Sequence, residues 1–319
     1  MYVEMIKTMD GVVGQPGKIV LSGASGMVGT ALRRRLAARG ASVVQLVRGA
    51  PGGENQVAWD PSAPVIANPS ALAGSTAAVH LSGASVAGHR WTAKYRKELT
   101  ASRVGSTRAL AQTLASLRER PQTLVVASAV GIYGNRGEEV LDEDSAPGEG
   151  FLAEVCRAWE EAARPALDAG IRVVHTRFGV VLGRGLRAHE QGALEKMLPV
   201  FRLGLGGRLG SGRQWMSWVS LEDAVAAILF ALEARSLAGP VNVVAPNAVT
   251  NAEFTQALAR RVHRPAVLPV PAFALRLALG PMADEALLAS ARVAPAKLMA
   301  AGFEFVHATV DEALAAALG

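Results

Sequence analysis

The chain has 319 residues, of which 50% are hydrophobic and 19% are charged, so wholesale disorder is excluded. A single cysteine excludes an internal disulfide framework and a cysteine-cluster metal site, and the six histidines show no metal-ligand spacing, so we expect no metal. The net charge is +6, but the basic residues are scattered, and no apolar run approaches the roughly 20 residues of a membrane helix. We therefore predict a globular protein with neither a nucleic-acid nor a membrane partner.

The first segment, residues 1–17, differs from the rest of the chain. It lacks the apolar core of a secretory signal peptide and carries Glu4 and Asp10. We expect this N-terminal extension to be disordered and to lie outside the fold. We also expect the protein to be cytoplasmic.

A regular pattern begins at Lys18. The apolar run 19–21 is typical of a strand buried on both faces, and a glycine-rich turn follows over residues 22–29. Apolar residues then recur at helical spacing, namely Val28, Leu32 and Leu36. Because Ser42–Val47 predicts a second strand, the segment forms a βαβ unit with parallel strands.

The alternation of strand and helix continues to about residue 183. Further strands are predicted at 77–81, 124–128 and 172–177, and helices within 91–117 and at 151–167. This order predicts a Rossmann-type α/β fold with a doubly wound parallel sheet. We assign residues 18–183 to a nucleotide-binding domain. Residues 184–319 form a smaller C-terminal α/β region on the substrate side, partly interleaved with that domain.

The glycine-rich turn has the spacing Gly23-x-x-Gly26-x-x-Gly29 between a strand and a helix. In that context the first glycine permits a tight turn, the second lets backbone N–H groups approach a pyrophosphate, and the third lets the helix pack on its strand. The positive end of the helix then faces the phosphates. We predict a dinucleotide site on the following residues: Gly23, Ala24, Ser25, Gly26, Met27 and Val28.

The end of the second predicted strand indicates which dinucleotide is bound. An NAD site usually carries an Asp or Glu there, whereas this chain has Arg48 and no acidic residue before Glu54. A guanidinium at Arg48 would pair with the 2′-phosphate of NADP, although it could also be a solvated surface arginine. The sequence favours NADP(H) over NAD(H).

Several segments resemble the extended short-chain dehydrogenase/reductases, the group that contains sugar-nucleotide epimerases and dehydratases. They are the glycine turn, His80-Leu81-Ser82-Gly83-Ala84, Ser128-Ala129-Val130-Gly131-Ile132-Tyr133-Gly134, residues 215–224, residues 241–243 and residues 249–254. A narrower likeness is to the atypical "epimerase family" (NAD-dependent epimerase/dehydratase-like) branch. Its landmarks here are residues 82–86, Arg90-Trp91-Thr92, Ser102-Arg103, 151–156, Trp159-Glu160, 177–183, 282–284 and 301–303.

This resemblance implies further cofactor-binding positions. The strand end at 80–84 is similar to one that lines the adenine and ribose, and the strand end at 128–134 is similar to one beneath the nicotinamide. Together with the Ser102-Arg103 landmark, these segments add six candidate residues: Leu81, Ser82, Gly83, Arg103, Ala127 and Ser128.

One departure from the family pattern affects the chemistry. Active members of the wider group carry Tyr-x-x-x-Lys on the helix after this loop, but here those positions hold Leu152 and Cys156. Neither can supply a phenolic proton and a fixed positive charge. The nearest candidates for proton transfer are Tyr133 and Ser128, with Glu154 as a lesser one. Tyr133 could equally pack over the cofactor with its hydroxyl hydrogen-bonded.

Two functions therefore stay open. The first is an NADP-dependent oxidoreductase or epimerase that lacks the Tyr-x-x-x-Lys dyad. The second is a non-catalytic NADP(H)-binding regulatory or scaffold protein, for example one related to cell division.

Three residues that we place near the carboxyl ends of the strands suit a small anionic substrate, namely Arg177, Arg213 and Trp215. A homodimer is one assembly that we consider, and the sequence leaves the oligomeric state open.

Overall fold

A computed structural model describes residues 17–63, 65–66, 68–185 and 192–319 of the chain. The N-terminal extension, for which we expected disorder, therefore lies outside the described residues except for Gly17. Within these ranges no helix is both long and apolar enough to cross a membrane.

The described residues form short and long strands in regular succession. The strands are β1 Lys18–Ser22, β2 Ser42–Val47, β3 Gln56–Ala58, β4 Ala77–His80, β5 Thr123–Ala129, β6 Val140–Leu141, β7 Arg172–Phe178, β8 Val180–Leu182, β9 Trp215–Met216, β10 Trp218–Ser220, β11 Gly239–Val243, β12 Val249–Thr250 and β13 Arg292–Val293.

Helices connect most of these strands. The α-helices are α1 Met27–Ala38, α2 Ala93–Ser116, α3 Phe151–Glu161, α4 Arg164–Asp168, α5 Ala193–Arg202, α6 Leu221–Glu233, α7 Asn251–Arg261, α8 Ala272–Leu279, α9 Ala296–Ala300 and α10 Val310–Leu318. Shorter helical turns are the 3₁₀ segments Pro69–Leu72 and Val130–Tyr133 and the π segment Ala283–Leu287.

Seven strands make one parallel sheet in the order β11-β7-β5-β4-β1-β2-β3. From β1 the chain proceeds outward to β2 and β3, then crosses over to β4 on the opposite side of β1. The order therefore reverses between β1 and β4, and ligands of open α/β sheets bind at the carboxyl ends of the strands at such a reversal. The predicted Rossmann-type fold class is confirmed.

Both faces of this sheet are covered, because successive residues of each strand point to opposite sides. In β1, Leu21 belongs to the core layer that includes Leu32 of α1 and Ile228 of α6. The neighbouring residue Val20 belongs to the other layer, which includes Leu110 of α2 and Trp159 of α3. The apolar run of β1 is thus buried on both sides, as its sequence predicts.

The predicted helix 151–167 is two helices in the structure. Helix α3 ends at Glu161 and α4 begins at Arg164, with Pro165 in its first turn. Proline has no backbone N–H to donate to the preceding turn, which favours a break at this point.

The C-terminal residues from 192 onwards contribute to the main sheet. We call their remaining elements the C-terminal cover. Helix α6 packs on one face of the sheet, and β11 forms an edge of it. Smaller two-stranded sheets pair β8 with β10, β9 with β12, and β6 with β13. The predicted domain boundary and the interleaving of the two regions stay predictions.

Candidate cofactor and substrate site

The glycine turn closes tightly between β1 and α1. Gly23 has a φ of 71°, and a Cβ atom on it would lie 2.7 Å from the backbone carbon of Leu81. A Cβ on Gly29 would lie 2.1 Å from the carbonyl oxygen of Gly23. Only glycine fits these two positions, so the turn and the helix pack as the spacing predicts.

The start of α1 is suited to hold an anion. Gly26 is the N-cap and provides no side-chain cap, so the first-turn N–H groups of Met27 and Val28 have no acceptor from it. A Cβ on Gly26 would meet only the Gly23 carbonyl oxygen, at 3.5 Å, so the surface above this glycine is open. The candidate residues Ala24 and Ser25 complete the turn. We call this turn, residues 23–28, the glycine cradle. It fits a pyrophosphate, because its donors are backbone N–H groups at a helix N-terminus.

The end of β4 lies directly beside this cradle. His80 is fully buried, and its ring nitrogens contact Ser22 Oγ at 2.6 Å and Ser106 Oγ at 3.1 Å. Burial lowers the pKa of His80 to about 3, so the ring is neutral at physiological pH. His80 therefore ties β1, β4 and α2 together and leaves the following residues, Leu81 to Gly83, to form the crevice beside the glycine turn.

Arg48 lies just beyond β2 and is exposed. Among the described residues, none forms an ion pair or a side-chain hydrogen bond with its guanidinium. A free guanidinium beside the crevice fits the 2′-phosphate of NADP, as the sequence predicts.

Arg103 reaches the crevice from α2. Its guanidinium donates to the Ala84 carbonyl oxygen at 2.9 Å and stacks 5.1 Å from the ring centre of Trp159. Its Cζ atom lies 3.3 Å from the position of a Cβ on Gly83. Burial lowers the pKa of Arg103 from its ordinary value. The structure thus brings Arg103 to the loop that follows β4.

Ser128, near the carboxyl end of β5, belongs to a buried polar network. Its hydroxyl donates to Glu160 Oε1 at 2.7 Å, and Arg177 donates to both oxygens of the same carboxylate at 2.8 and 2.9 Å. Burial alone would raise the pKa of Glu160, but the hydrogen bonds and charge of Arg177 outweigh it and hold that pKa below its ordinary value. The candidate residue Ala127, one position earlier, is a buried part of the sheet core.

Arg177 and Tyr133 belong to the same network. Arg177 is 6% exposed and also donates to the Tyr133 hydroxyl oxygen at 2.9 Å. Such burial does not favour the substrate contact that we expected from Arg177, because its donors face Glu160 and Tyr133 and not an open surface.

Tyr133 has no exposed surface, and its hydroxyl donates towards the Asp142 carbonyl oxygen and Asn242 Oδ1, both at 2.8 Å. Burial is the main reason that the pKa of Tyr133 is raised above its ordinary value. Of the two roles left open for this phenol, the geometry favours packing with a satisfied hydroxyl.

The two positions of the missing dyad lie on the face of α3 towards the turn after β5. Leu152 Cβ is 3.4 Å from the position of a Cβ on Gly131, and Cys156 Sγ is 4.0 Å from the same point. Burial raises the pKa of Cys156 to about 12, so the thiol is neutral. Glu154, the lesser proton-transfer candidate, is exposed on this helix.

Arg213 and Trp215 lie on the C-terminal cover. Arg213 is exposed and pairs weakly with Glu138 at 3.5 Å, while Arg292 stacks 4.3 Å from the ring centre of Trp215. The Trp215 backbone N–H donates to Ser290 Oγ at 3.0 Å. Arg213 therefore stays accessible, unlike Arg177, whereas Trp215 is half-buried beneath Arg292.

Sequence reasoning assigned no role to three polar partners of the network, Glu160, Asn242 and Glu143, although each lies in a segment that resembles the family. Glu143 is 5% exposed and accepts the backbone N–H of Asn242 at 2.9 Å. Glu160 stood in the Trp159-Glu160 landmark, which signalled its importance without indicating its partner. In the part of the chain that the structure describes, no group of three or more His, Cys, Asp or Glu side chains is placed to hold a metal ion.

Comparison with known proteins agrees with this geometry. The model of the NAD dependent epimerase/dehydratase family matches residues 19–245, and a domain of unknown function (DUF1731) matches residues 270–317. The chain is 45% identical over 296 residues to the epimerase family protein Mb2239 of Mycobacterium bovis, covering 93% of this chain and 96% of that protein.

Two further relatives extend the comparison. The chloroplastic SDR39U1 homolog of Arabidopsis thaliana is 39% identical over 305 residues, covering 93% of this chain and 86% of the relative. The crystal structure of human epimerase family protein SDR39U1 (isoform 2) with NADPH has a TM-score of 0.85 at 33% identity, covering 94% of this chain and 98% of that one. Because the plant relative is chloroplastic, a cytoplasmic location stays a prediction for this chain.

Proposed function

Since the chain belongs to the NAD dependent epimerase/dehydratase family, as its motifs predicted, we propose that it binds NADP(H) and acts as an oxidoreductase or epimerase that lacks the Tyr-x-x-x-Lys dyad. The observation that carries this proposal is the open glycine cradle at the start of α1 together with the free guanidinium of Arg48. The human relative, crystallised with NADPH, supports the same cofactor.

Each part of the crevice has a proposed task. The glycine turn holds the pyrophosphate, and Arg48 holds the 2′-phosphate. Three further groups line the site from the adenine and ribose to the nicotinamide, namely residues 81–83, Arg103 and residues 127–128. Bound NADP(H) would supply or accept a hydride at a carbinol or carbonyl carbon. We propose that Arg213 and Trp215 contact a small anionic substrate, because Arg213 is exposed and Trp215 is half-buried beside it in sequence.

We propose that Tyr133 and Arg177 position the turn after β5. Their mutual hydrogen bond and their burial support this role, because neither side chain faces open space. Ser128 donates to Glu160 and stays a candidate for contact with the nicotinamide end of the cofactor.

A second candidate function is a non-catalytic NADP(H)-binding regulator or scaffold. The observation in its favour is that the dyad positions hold Leu152 and a neutral Cys156, and that the hydroxyl of Tyr133 is already satisfied. Cofactor binding is common to both candidates, whereas turnover distinguishes them.

The test begins with NADPH titrations followed by cofactor fluorescence. In Arg48→Ala we expect NADPH affinity to fall about tenfold and NADH affinity to change by less than about twofold, since only NADPH has the 2′-phosphate. Arg34→Ala, which removes an exposed arginine of α1, is the matched control and should change neither affinity. Equal losses for both cofactors would contradict the assignment to NADP.

A second measurement separates the two candidate functions. Purified protein with NADPH is screened against carbonyl compounds, and cofactor consumption is followed by absorbance. Consumption with any compound supports the oxidoreductase. A change of configuration in a compound without net consumption, followed by NMR, supports the epimerase, whereas tight binding with neither supports the regulator.

A further inference from the structure

Glu285 brings a carboxylate from the C-terminal cover to the helix that lacks the dyad. It lies in the π segment Ala283–Leu287, within the matched domain of unknown function. Its Oε2 accepts the backbone N–H of Leu152, the residue at the tyrosine position, at 2.8 Å. The same oxygen lies 3.0 Å from the position of a Cβ on Gly150, so the N-cap residue must be small.

No cation within the described ranges pairs with the carboxylate of Glu285. Among the described residues no Lys or Arg forms a salt bridge with it, and its Oε1 has no hydrogen-bond partner. Its neighbour Asp284, in contrast, is exposed and pairs with Arg276 at 2.9 Å. Glu285 is half-buried, so its free oxygen is shielded in part from solvent and its field is stronger than that of a surface carboxylate.

The position of this charge relative to the crevice follows from the sheet. A dinucleotide that crosses the reversal between β1 and β4 places one half towards β2 and Arg48, and the other half over the ends of β4 and β5. The turn after β5 packs against α3, where a Cβ on Gly131 would lie 3.4 Å from Leu152 Cβ. Leu152 is also the residue whose backbone N–H Glu285 accepts. Through Leu152, Glu285 is therefore on the β5 side of the crevice, the side that we assign to the nicotinamide half.

We propose that Glu285 makes the site discriminate between the two redox states of its cofactor, favouring the oxidised form. This inference rests on the proposed binding of NADP(H). The nicotinamide ring carries a positive charge in NADP⁺ and none in NADPH, so an unpaired carboxylate nearby attracts only the oxidised ring. The C-terminal cover thereby sets the cofactor preference of an enzyme, or the redox response of a regulator.

The experiment measures the dissociation constants of NADP⁺ and NADPH by calorimetry for the full chain and its variants. Glu285→Gln removes the charge but keeps an amide oxygen that can accept the Leu152 N–H, so α3 stays capped. We expect this variant to lower the affinity for NADP⁺ about fivefold relative to the affinity for NADPH, as for the loss of a partly screened charge pair. Asp284→Asn is the matched control and should leave the ratio of the two constants unchanged.

Other outcomes would overturn the inference. Suppose that Glu285→Gln keeps the wild-type ratio of the two dissociation constants, while Glu285→Ala lowers the affinity for both cofactor forms equally. The carboxylate then serves only as a helix cap. If Glu285→Gln does not fold, as judged by circular dichroism, Glu285→Ala takes its place because it also removes the charge, and a wild-type ratio in that protein overturns the inference. If the wild-type protein binds neither cofactor form, the proposed function fails before this inference is reached.

Discussion

The carboxylate of Glu160 and the guanidinium of Arg177 form a two-point ion pair beside the carboxyl ends of β5 and β7, with distances of 2.8 and 2.9 Å. The side chain of Arg177 is 7% exposed and that of Glu160 is 14% exposed. Burial alone would lower the pKa of Arg177, but Glu160 raises it above its ordinary value. The pair also holds the hydroxyls of Ser128 and Tyr133, so it fixes the turn that supports the proposed nicotinamide position.

Removing one member of this pair should be costly. Arg177→Ala leaves a buried carboxylate without its cation, and we expect the free energy of unfolding to fall by about 3–5 kcal/mol. Urea unfolding at neutral pH measures the change. Arg276→Ala breaks an exposed pair with Asp284 and should cost less than about 1 kcal/mol. Similar losses in the two variants would show that burial of the Glu160 pair is not decisive.

His80 should make stability depend on pH. Its pKa is about 3 in the folded protein against 6.5 ordinarily, because burial disfavours the charged ring. Below about pH 6.5 the unfolded chain binds a proton that the folded chain does not, so stability falls as the pH falls, by about 1.4 kcal/mol per pH unit. The contribution is complete above pH 6.5 and is lost progressively towards pH 3.

Two variants isolate this effect. From pH 7 to pH 5 the wild-type protein should lose about 2 kcal/mol more stability than His80→Gln, which has no ring to protonate. His89→Gln, at an exposed position, should keep the wild-type slope. The buried His175, whose pKa is also lowered by burial, is present in all three proteins and cancels in the comparison. Parallel slopes in wild type and His80→Gln would contradict the assignment.

Two glycines of the turn should respond differently to the same substitution. A Cβ on Gly29 would overlap the Gly23 carbonyl oxygen at 2.1 Å, so we expect Gly29→Ala to destabilise the fold by about 1–3 kcal/mol. A Cβ on Gly26 makes only an ordinary contact at 3.5 Å, so Gly26→Ala should fold normally but bind NADPH at least about tenfold more weakly. Thermal melts and NADPH titrations of both variants are the measurements. Unchanged NADPH affinity in Gly26→Ala would count against a pyrophosphate at this turn.

The parts of the site that could be predicted are those formed by neighbouring residues. Gly23, Gly26 and Gly29 lie within one turn, and their spacing alone determines where a backbone can approach a phosphate. The alternation of short apolar runs with helical patterns likewise predicted the parallel sheet. Arg48 lies directly after β2, at the strand end where the sequence placed it.

The parts that could not be predicted join residues far apart in sequence. Tyr133 and Asn242 are 109 positions apart, and Leu152 and Glu285 are 133 positions apart. Arg177 was placed at a strand end, but the chain offers many acidic residues, and no pattern selects Glu160 as its partner. In the structure Arg177 is buried and pairs with Glu160 of α3, while the substrate contact that we expected from it stays a prediction.

The phenol of Tyr133 provides a test of that internal network. Tyr133→Phe keeps the ring near Arg177 but removes the hydroxyl, which leaves Arg177 and Asn242 each without one hydrogen bond. We expect a loss of about 1–3 kcal/mol in unfolding free energy, with NADPH affinity within about twofold of wild type. A double-mutant cycle with Asn242→Ala should show a coupling of at least about 0.5 kcal/mol between the two positions. If Tyr133→Phe instead keeps full stability and loses NADPH binding, the phenol belongs to the cofactor site and not to the network beneath it.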